Sequence, residues 1–211
     1  MEQFSRTISL VGQSAFDRVH QARVAVFGVG GVGGYVCEAL VRSGIAEIDL
    51  FDRDDVSISN LNRQIIALHS TIGQDKVDAM AARLKDINPD VRVNCRKMFY
   101  LPTNADEVDL SVYDFVVDAV DTIAAKKAKI ELIVRIQENG VYAISAMGAG
   151  NKFDPSCLRI ADITKTSVCP LARAMRVSCK KKGIRHMTVA YSLEPMHPPV
   201  QPIAEESGRR K

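Results

Sequence analysis

Two side chains that can grip phosphate, Arg63 and Lys76, and a carboxylate that can hold a metal ion against it, Asp121, follow a glycine-rich stretch, Gly28-Val29-Gly30-Gly31-Val32-Gly33. Gly28, Gly30 and Gly33 fit G-x-G-x-x-G, a turn in which missing side chains let the backbone approach a phosphate while the amides of the next helix face it. That points to a nucleotide without saying which one. Asp52 stands 24 residues after Gly28, near the ~20-residue interval at which a carboxylate ending the second strand accepts hydrogen bonds from ribose hydroxyls. A solvated acidic strand end is the alternative.

The segment Asn60-Leu61-Asn62-Arg63-Gln64 supplies a guanidinium fork and amide donors, both suited to phosphate oxygens. Lys76 falls in the first turn of a helix, where a cation opposes the helix dipole. It either faces a bound phosphate or is one of many exposed helix lysines. Asp121 lies just past an apolar run at the edge where open α/β sheets bind ligands. There it can hold Mg2+ against a nucleotide triphosphate, or simply cap a helix.

The elements that must position these groups can be read from periodicity. Val24 to Phe27 predicts a buried parallel strand, Tyr35 to Arg42 the helix after the turn, and Glu47 to Asp52 a second strand. Val77, Met80, Ala81, Leu84 and Ile87 predict a helix opened by Gly73-Gln74-Asp75-Lys76 and ended at Asn88-Pro89. Strands follow at Val91 to Cys95, Tyr113 to Thr122 and Val141 to Ser145, with a helix from Lys126 to Glu138 between the last two. Five strands alternating with helices predict an α/β fold with a doubly wound, mainly parallel, Rossmann-like sheet. A strand-helix-strand extension then runs through Cys157 to Asp162, Leu171 to Lys182 and Met187 to Ser192. An arm bearing Phe4-Ser5-Arg6-Thr7 and a short helix, Ser14 to Gln21, precede the first strand. Residues 1–194 are expected as one domain and 195–211 as a mobile, proline-rich loop or tail.

The 211 residues are 46% hydrophobic and 25% charged, enough for one sizeable core, and the net charge of +3 does not by itself imply a polyanionic partner. Charge is concentrated instead in Arg173, Arg176, Lys180, Lys181, Lys182 and Arg185, with no acid between Leu171 and Arg185. That run is either a solvated helix face or a contact for RNA. Five scattered cysteines without a C-x-x-C pair argue against a disulfide framework and a four-cysteine zinc site, and fit a reducing cytoplasm. No apolar stretch approaches the ~18 residues of a membrane span.

Taken together, the glycine turn, Asp52, Asn60-Leu61-Asn62-Arg63-Gln64, Lys76 and Asp121 resemble the ubiquitin-activating-enzyme-like (ThiF/MoeB-like) superfamily, which adenylates carboxylates with ATP. Phe4-Ser5-Arg6-Thr7, Ser145-Ala146-Met147-Gly148-Ala149-Gly150-Asn151-Lys152 and Lys165-Thr166-Ser167-Val168-Cys169-Pro170-Leu171-Ala172-Arg173 are similar to its tRNA threonylcarbamoyladenosine dehydratase group. The resemblance covers nearly the whole chain. It implies that ATP adenylates the carboxylate of the modified adenosine, pyrophosphate leaves, and ring closure expels AMP. Gly28, Gly30, Gly31 and Gly33 would admit the phosphates, and Asp52 would bind the ribose. Asn60, Arg63, Gln64 and Lys76 would hold the triphosphate, and Asp121 the Mg2+. The resemblance also implies a homodimer in which Arg6 reaches the partner's ATP. Two anions meet in this reaction, so cations must neutralise attack and departure. The attacking carboxylate is already ionised at neutral pH, and ring closure gains from orientation.

Two other readings compete. A sulfur-carrier-protein adenylyltransferase of the same superfamily would use the same nucleotide site, with a sulfur-transfer protein as partner, although paired C-x-x-C zinc ligands are absent here. An NAD-binding redox or regulatory domain would leave Asn60, Arg63, Lys76 and Asp121 without a common purpose. Cys169 before Pro170 is either a thiol activated at a helix start or a small buried residue without chemistry, and the dehydration requires no thioester. Members of the group usually continue into further apolar structure, so the resemblance implies a shortened chain.

Overall fold

A computed structural model describes residues 2–120 and 126–201. Its centre is β1 (Arg23–Phe27), paired in parallel with β2 (Glu47–Phe51) on one side and β4 (Phe115–Asp118) on the other. Beyond β2 lies β3 (Arg92–Arg96). Beyond β4 come β5 (Tyr142–Ala146) and β7 (Thr188–Ser192), both parallel, and β6 (Leu158–Asp162) pairs antiparallel with β7 at the edge. The order β3-β2-β1-β4-β5-β7-β6 is the expected doubly wound sheet, and the C-terminal extension continues it.

Strand pleating sends alternate residues of β1 to opposite faces. Val24 and Val26 join Ile48 and Leu50 against Cys37 and Val41 of α3 (Gly33–Arg42) and Met80 and Leu84 of α4 (Lys76–Ile87). Ala25 and Phe27 face Tyr100, Leu110, and Leu132 and Ile136 of α5 (Lys126–Glu138). Phe27 and Phe51 stack at 4.2 Å, fixing the ends of β1 and β2 beside each other just where the glycine turn begins. Each large side chain buried in this way contributes about 1.5–3 kcal/mol. A third cluster packs α6 (Pro170–Lys181) through Leu171, Met175 and Cys179 onto β7 and α5.

Three local expectations are corrected. The N-terminal arm is helical: α1 (Ser5–Val11) precedes α2 (Gln13–Gln21), with a break at Gly12, whose φ is 82°. Its anchor is Phe4, buried against Phe16 at 5.2 Å, a contact between residues too far apart for a local pattern to reveal. β4 ends at Asp118, whose side chain enters a buried ion pair, and the expected strand end at Thr122 lies outside the described residues. The start of the 195–211 segment is anchored, since His197 donates its backbone N–H to the Asn151 carbonyl at 2.9 Å and packs its ring on Phe153.

Candidate nucleotide site

The turn after β1 lies where the chain winds to β2 and β3 on one side while β4 and β5 occupy the other, the crevice at which open α/β sheets bind ligands. Its glycines divide into two kinds. Gly28 has φ 91°, and a Cβ there would lie 2.9 Å from the Ala119 carbonyl oxygen; one at Gly33 would lie 1.8 Å from the Gly28 oxygen. These two are required by packing. At Gly30 and Gly31 an added Cβ would meet only Gln64 Nε2 at 3.8 Å and Arg63 at 3.6 Å, so that face of the turn is open toward the two phosphate-binding candidates.

Asp52 reaches back across the strand ends. Its Oδ2 accepts the Val29 amide at 2.8 Å and its Oδ1 accepts the Asp54 amide at 2.9 Å. Burial pushes its pKa up from the usual carboxylate value, against the opposing pull of the Lys76 ammonium and the two amides. The carboxylate therefore closes the turn, a task the sequence did not assign to it.

Asn60 and Gln64 are both buried, although they were read from a polar loop. Asn60 ends the single helical turn Ile58–Asn60, and its Oδ1 accepts the Ser57 amide at 3.1 Å, which leaves the amide nitrogen as a donor. Gln64 Oε1 is buried without a hydrogen-bond partner among the described residues. Arg63 is exposed, and its Nη1 donates to the Ser59 carbonyl and to Asn62 Oδ1, both at 2.9 Å. Lys76 opens α4 as expected and is buried, but its Nζ meets Asp54 Oδ2 at 3.0 Å, so a carboxylate occupies the place expected for phosphate. The partner is half exposed, and a bound polyphosphate can compete with it for the ammonium.

Asp121 lies outside the described residues. Its neighbour Asp118 is fully buried and committed: Lys129 Nζ approaches its Oδ2 at 2.7 Å, and Ser145 Oγ donates to the same atom at 2.6 Å. Lys129 was missed because it sits among helix residues whose neighbours, Lys126 and Lys127, suggest a wet face. Among the described residues no group of three His, Cys, Asp or Glu is placed to hold a metal. Mg2+ bound chiefly by phosphates needs only one or two carboxylates. Asp118 is withdrawn from that role by its contacts with Lys129 and Ser145.

Arg6 is exposed on α1, and no hydrogen bond or ion pair among the described residues joins it to the turn. In the basic stretch, Arg173, Lys180, Lys181, Lys182 and Arg185 are exposed. Arg176 is not a free cation of that face: its Nη1 donates to the Thr166 carbonyl at 2.7 Å and to Thr166 Oγ1 at 2.5 Å, fixing the loop before α6. Cys169 is buried, and its Sγ accepts the Ala172 amide at 3.5 Å, a helix cap. No helix among the described residues is long and apolar enough to cross a membrane.

A glycine turn at the switch point of a doubly wound sheet, ringed by Asp52, Gln64, Arg63 and Lys76, defines a nucleotide-binding α/β protein, and the chain belongs to the ThiF family, which it matches over residues 4–196. Its relatives include the tRNA threonylcarbamoyladenosine dehydratase of Bacillus subtilis (strain 168), 45% identical over 88% of this chain and 72% of that protein. The enzyme of the same name from Escherichia coli (strain K12) is 37% identical over 85% of this chain and 66% of its own length. Crystal structures of the E. coli protein, TcdA, in complex with AMP and with ATP match with TM-scores of 0.89 and 0.86, at 33% and 34% identity. The first covers 95% of this chain and 83% of that chain, the second 94% and 84%.

Proposed function

We propose that this chain is an ATP-dependent tRNA threonylcarbamoyladenosine dehydratase, which adenylates the carboxylate of the modified nucleoside and closes it into a ring. The observation that carries the reading is the open face of the glycine turn at Gly30 and Gly31, lined by Gln64 and Arg63 and flanked by Asp52 and Lys76. An ATP laid there places its ribose toward Asp52 and its phosphates toward the amides of the turn, Asn60, Arg63, Gln64 and Lys76. The tRNA-borne carboxylate attacks the α-phosphorus and the bond to pyrophosphate breaks. A nucleophile of the same threonylcarbamoyl group then attacks the acyl carbon, and AMP leaves with the carboxyl oxygen. Lys76 and Arg63 neutralise the phosphates during attack. Asp121 would hold Mg2+, which would supply charge neutralisation for the departing pyrophosphate.

Two further parts belong to this reading. The exposed cations of α6 and the residues after it, Arg173, Lys180, Lys181, Lys182 and Arg185, form a face for the tRNA backbone. Arg6, which no hydrogen bond or ion pair among the described residues joins to the turn of its own chain, acts on the ATP of a second copy in a homodimer. A cytoplasmic setting follows from the substrate. Pyrophosphate release with tRNA carrying the linear modification is the test, run beside a sulfur-carrier protein ending in Gly-Gly. Release driven by the tRNA supports the dehydratase, and release driven only by the carrier overturns it.

A further inference from the structure

We infer that Lys129 is a positioning residue for the nucleotide site, acting through Asp118 and the Val120 carbonyl on the backbone that abuts the glycine turn; this rests on the adenylation reading above. Lys129 and Asp118 have side chains with 0% exposure. A buried ion pair is a poor way to stabilise a core, since apolar residues of similar volume do as well or better. Its value lies in what it holds in one place.

Asp118 is the last paired residue of β4, opposite Phe27 of β1 and Ser145 of β5. Lys129 reaches it from α5 and also donates to the Val120 carbonyl at 2.9 Å. One ammonium therefore grips two points, two residues apart, on the strand end. Between them Ala119 donates its amide to the Phe27 carbonyl at 2.8 Å, while its own carbonyl lies against Gly28, where a Cβ would be 2.9 Å away. Residues 118–120 are thus clamped between Lys129 on one side and the glycine turn on the other. The Val120 amide, directed to Asp118 Oδ1 at 3.3 Å, closes the clamp on itself. No contact of Lys129 with substrate is required, and Ser145 Oγ fixes the carboxylate that Lys129 pulls on.

The test uses the full chain and the double variant Asp118→Asn/Lys129→Met, which removes both charges together and strands neither. Hydrogen–deuterium exchange of the backbone and ATP–pyrophosphate exchange with linear-modified tRNA are measured side by side. The amides of Ala119 and Val120 and those of residues 29–31 should exchange at least about tenfold faster, with the rest of β5 and α5 unchanged. The kcat should fall at least about tenfold, and half-saturation should need more Mg2+, with a smaller change in the KM for ATP. Unchanged protection at 119–120, or faster exchange spread evenly over β4, β5 and α5 with kcat and Mg2+ dependence intact, overturns the inference. Should the double variant fail to fold, Ser145→Ala replaces it. A weaker loosening confined to the same amides supports the inference, and none overturns it. If the unaltered chain shows no exchange of pyrophosphate, the functional reading fails, while the amide measurement still decides the role of Lys129.

Discussion

Asp52 and Val29 are joined by a 2.8 Å hydrogen bond from the Val29 amide to Oδ2, so the carboxylate that ends β2 also closes the turn that ends β1. Asp52→Ala removes this acceptor and the one for the Asp54 amide. It should lower the unfolding free energy by about 1–3 kcal/mol and weaken ATP binding at least about tenfold. The stability loss depends on pH. The folded pKa of Asp52 is raised by burial, so its contribution is greatest while the carboxyl is protonated and declines as pH rises through the folded value. Urea unfolding at mildly acidic and at neutral pH should show the larger loss at the acidic end, and an equal loss at both would refute this account.

The two kinds of glycine separate fold from ligand. Gly33→Ala drives a Cβ into the Gly28 carbonyl and should destabilise the chain by about 3 kcal/mol or more. Gly30→Ala meets only Gln64 Nε2 at 3.8 Å, so its melting temperature should stay close to that of the parent while ATP affinity drops. Thermal melts with and without ATP distinguish the pair. A Gly30→Ala chain that melts early would mean that the open face is structural after all.

Reversing Lys180, Lys181 and Lys182 to Glu should reduce tRNA affinity at least about tenfold at low salt and flatten its salt dependence, since fewer counterions are released. All three are exposed, so ATP affinity and the melting temperature should not move. Binding titrations at several salt concentrations decide it, and unchanged tRNA affinity would return α6 to a solvated face. Arg176→Ala is the contrasting control, because it frees the Thr166 loop and should lower stability.

Glu194 accepts the amides of Phe153 and Asp154 at 2.9–3.0 Å, and His197 Nε2 lies 2.8 Å from its Oε1. These amides hold its pKa below the usual 4.5. A depressed carboxylate pKa means that the contact is intact above the unfolded value and is lost as pH falls through the folded one. The Phe153 and Asp154 amides should therefore lose protection in acid, relative to the intrinsic exchange rate, and Glu194→Gln should reduce that pH dependence. Protection that ignores both pH and the substitution would rule the contact out as their anchor.

Much of the candidate site was legible in the sequence as a pattern because its signals are local. The glycine turn, the apolar period from Val77 to Ile87 that starts α4 at Lys76, and the basic α6 each declare themselves within a dozen or so residues. What was hidden depends on partners distant in sequence. Lys129 reads as a surface lysine until the sheet brings Asp118 beside it, Arg176 reads as a phosphate contact until Thr166 takes its guanidinium, and Phe4 reads as part of an arm until Phe16 covers it. Asp52 falls at the strand end as expected, yet its grip on Val29 depends on the parallel pairing that sets Phe51 beside Phe27, which the spacing alone does not encode.

The strand order carries a consequence for how the chain assembles. The ladder partner of β6 is β7, which comes later in sequence and lies between β6 and the rest of the sheet. During synthesis β6 emerges first, with Leu158 and Ile160 on a strand that has nothing to pair with until α6 and β7 have followed. Completing that edge is a late, non-local event, and such closures are slow and leave an adhesive strand exposed meanwhile. Aggregation of nascent or partly unfolded chains should therefore begin at this edge, and the nucleotide half of the sheet, whose strands pair as soon as β4 arrives, should be the first part of the molecule to take shape.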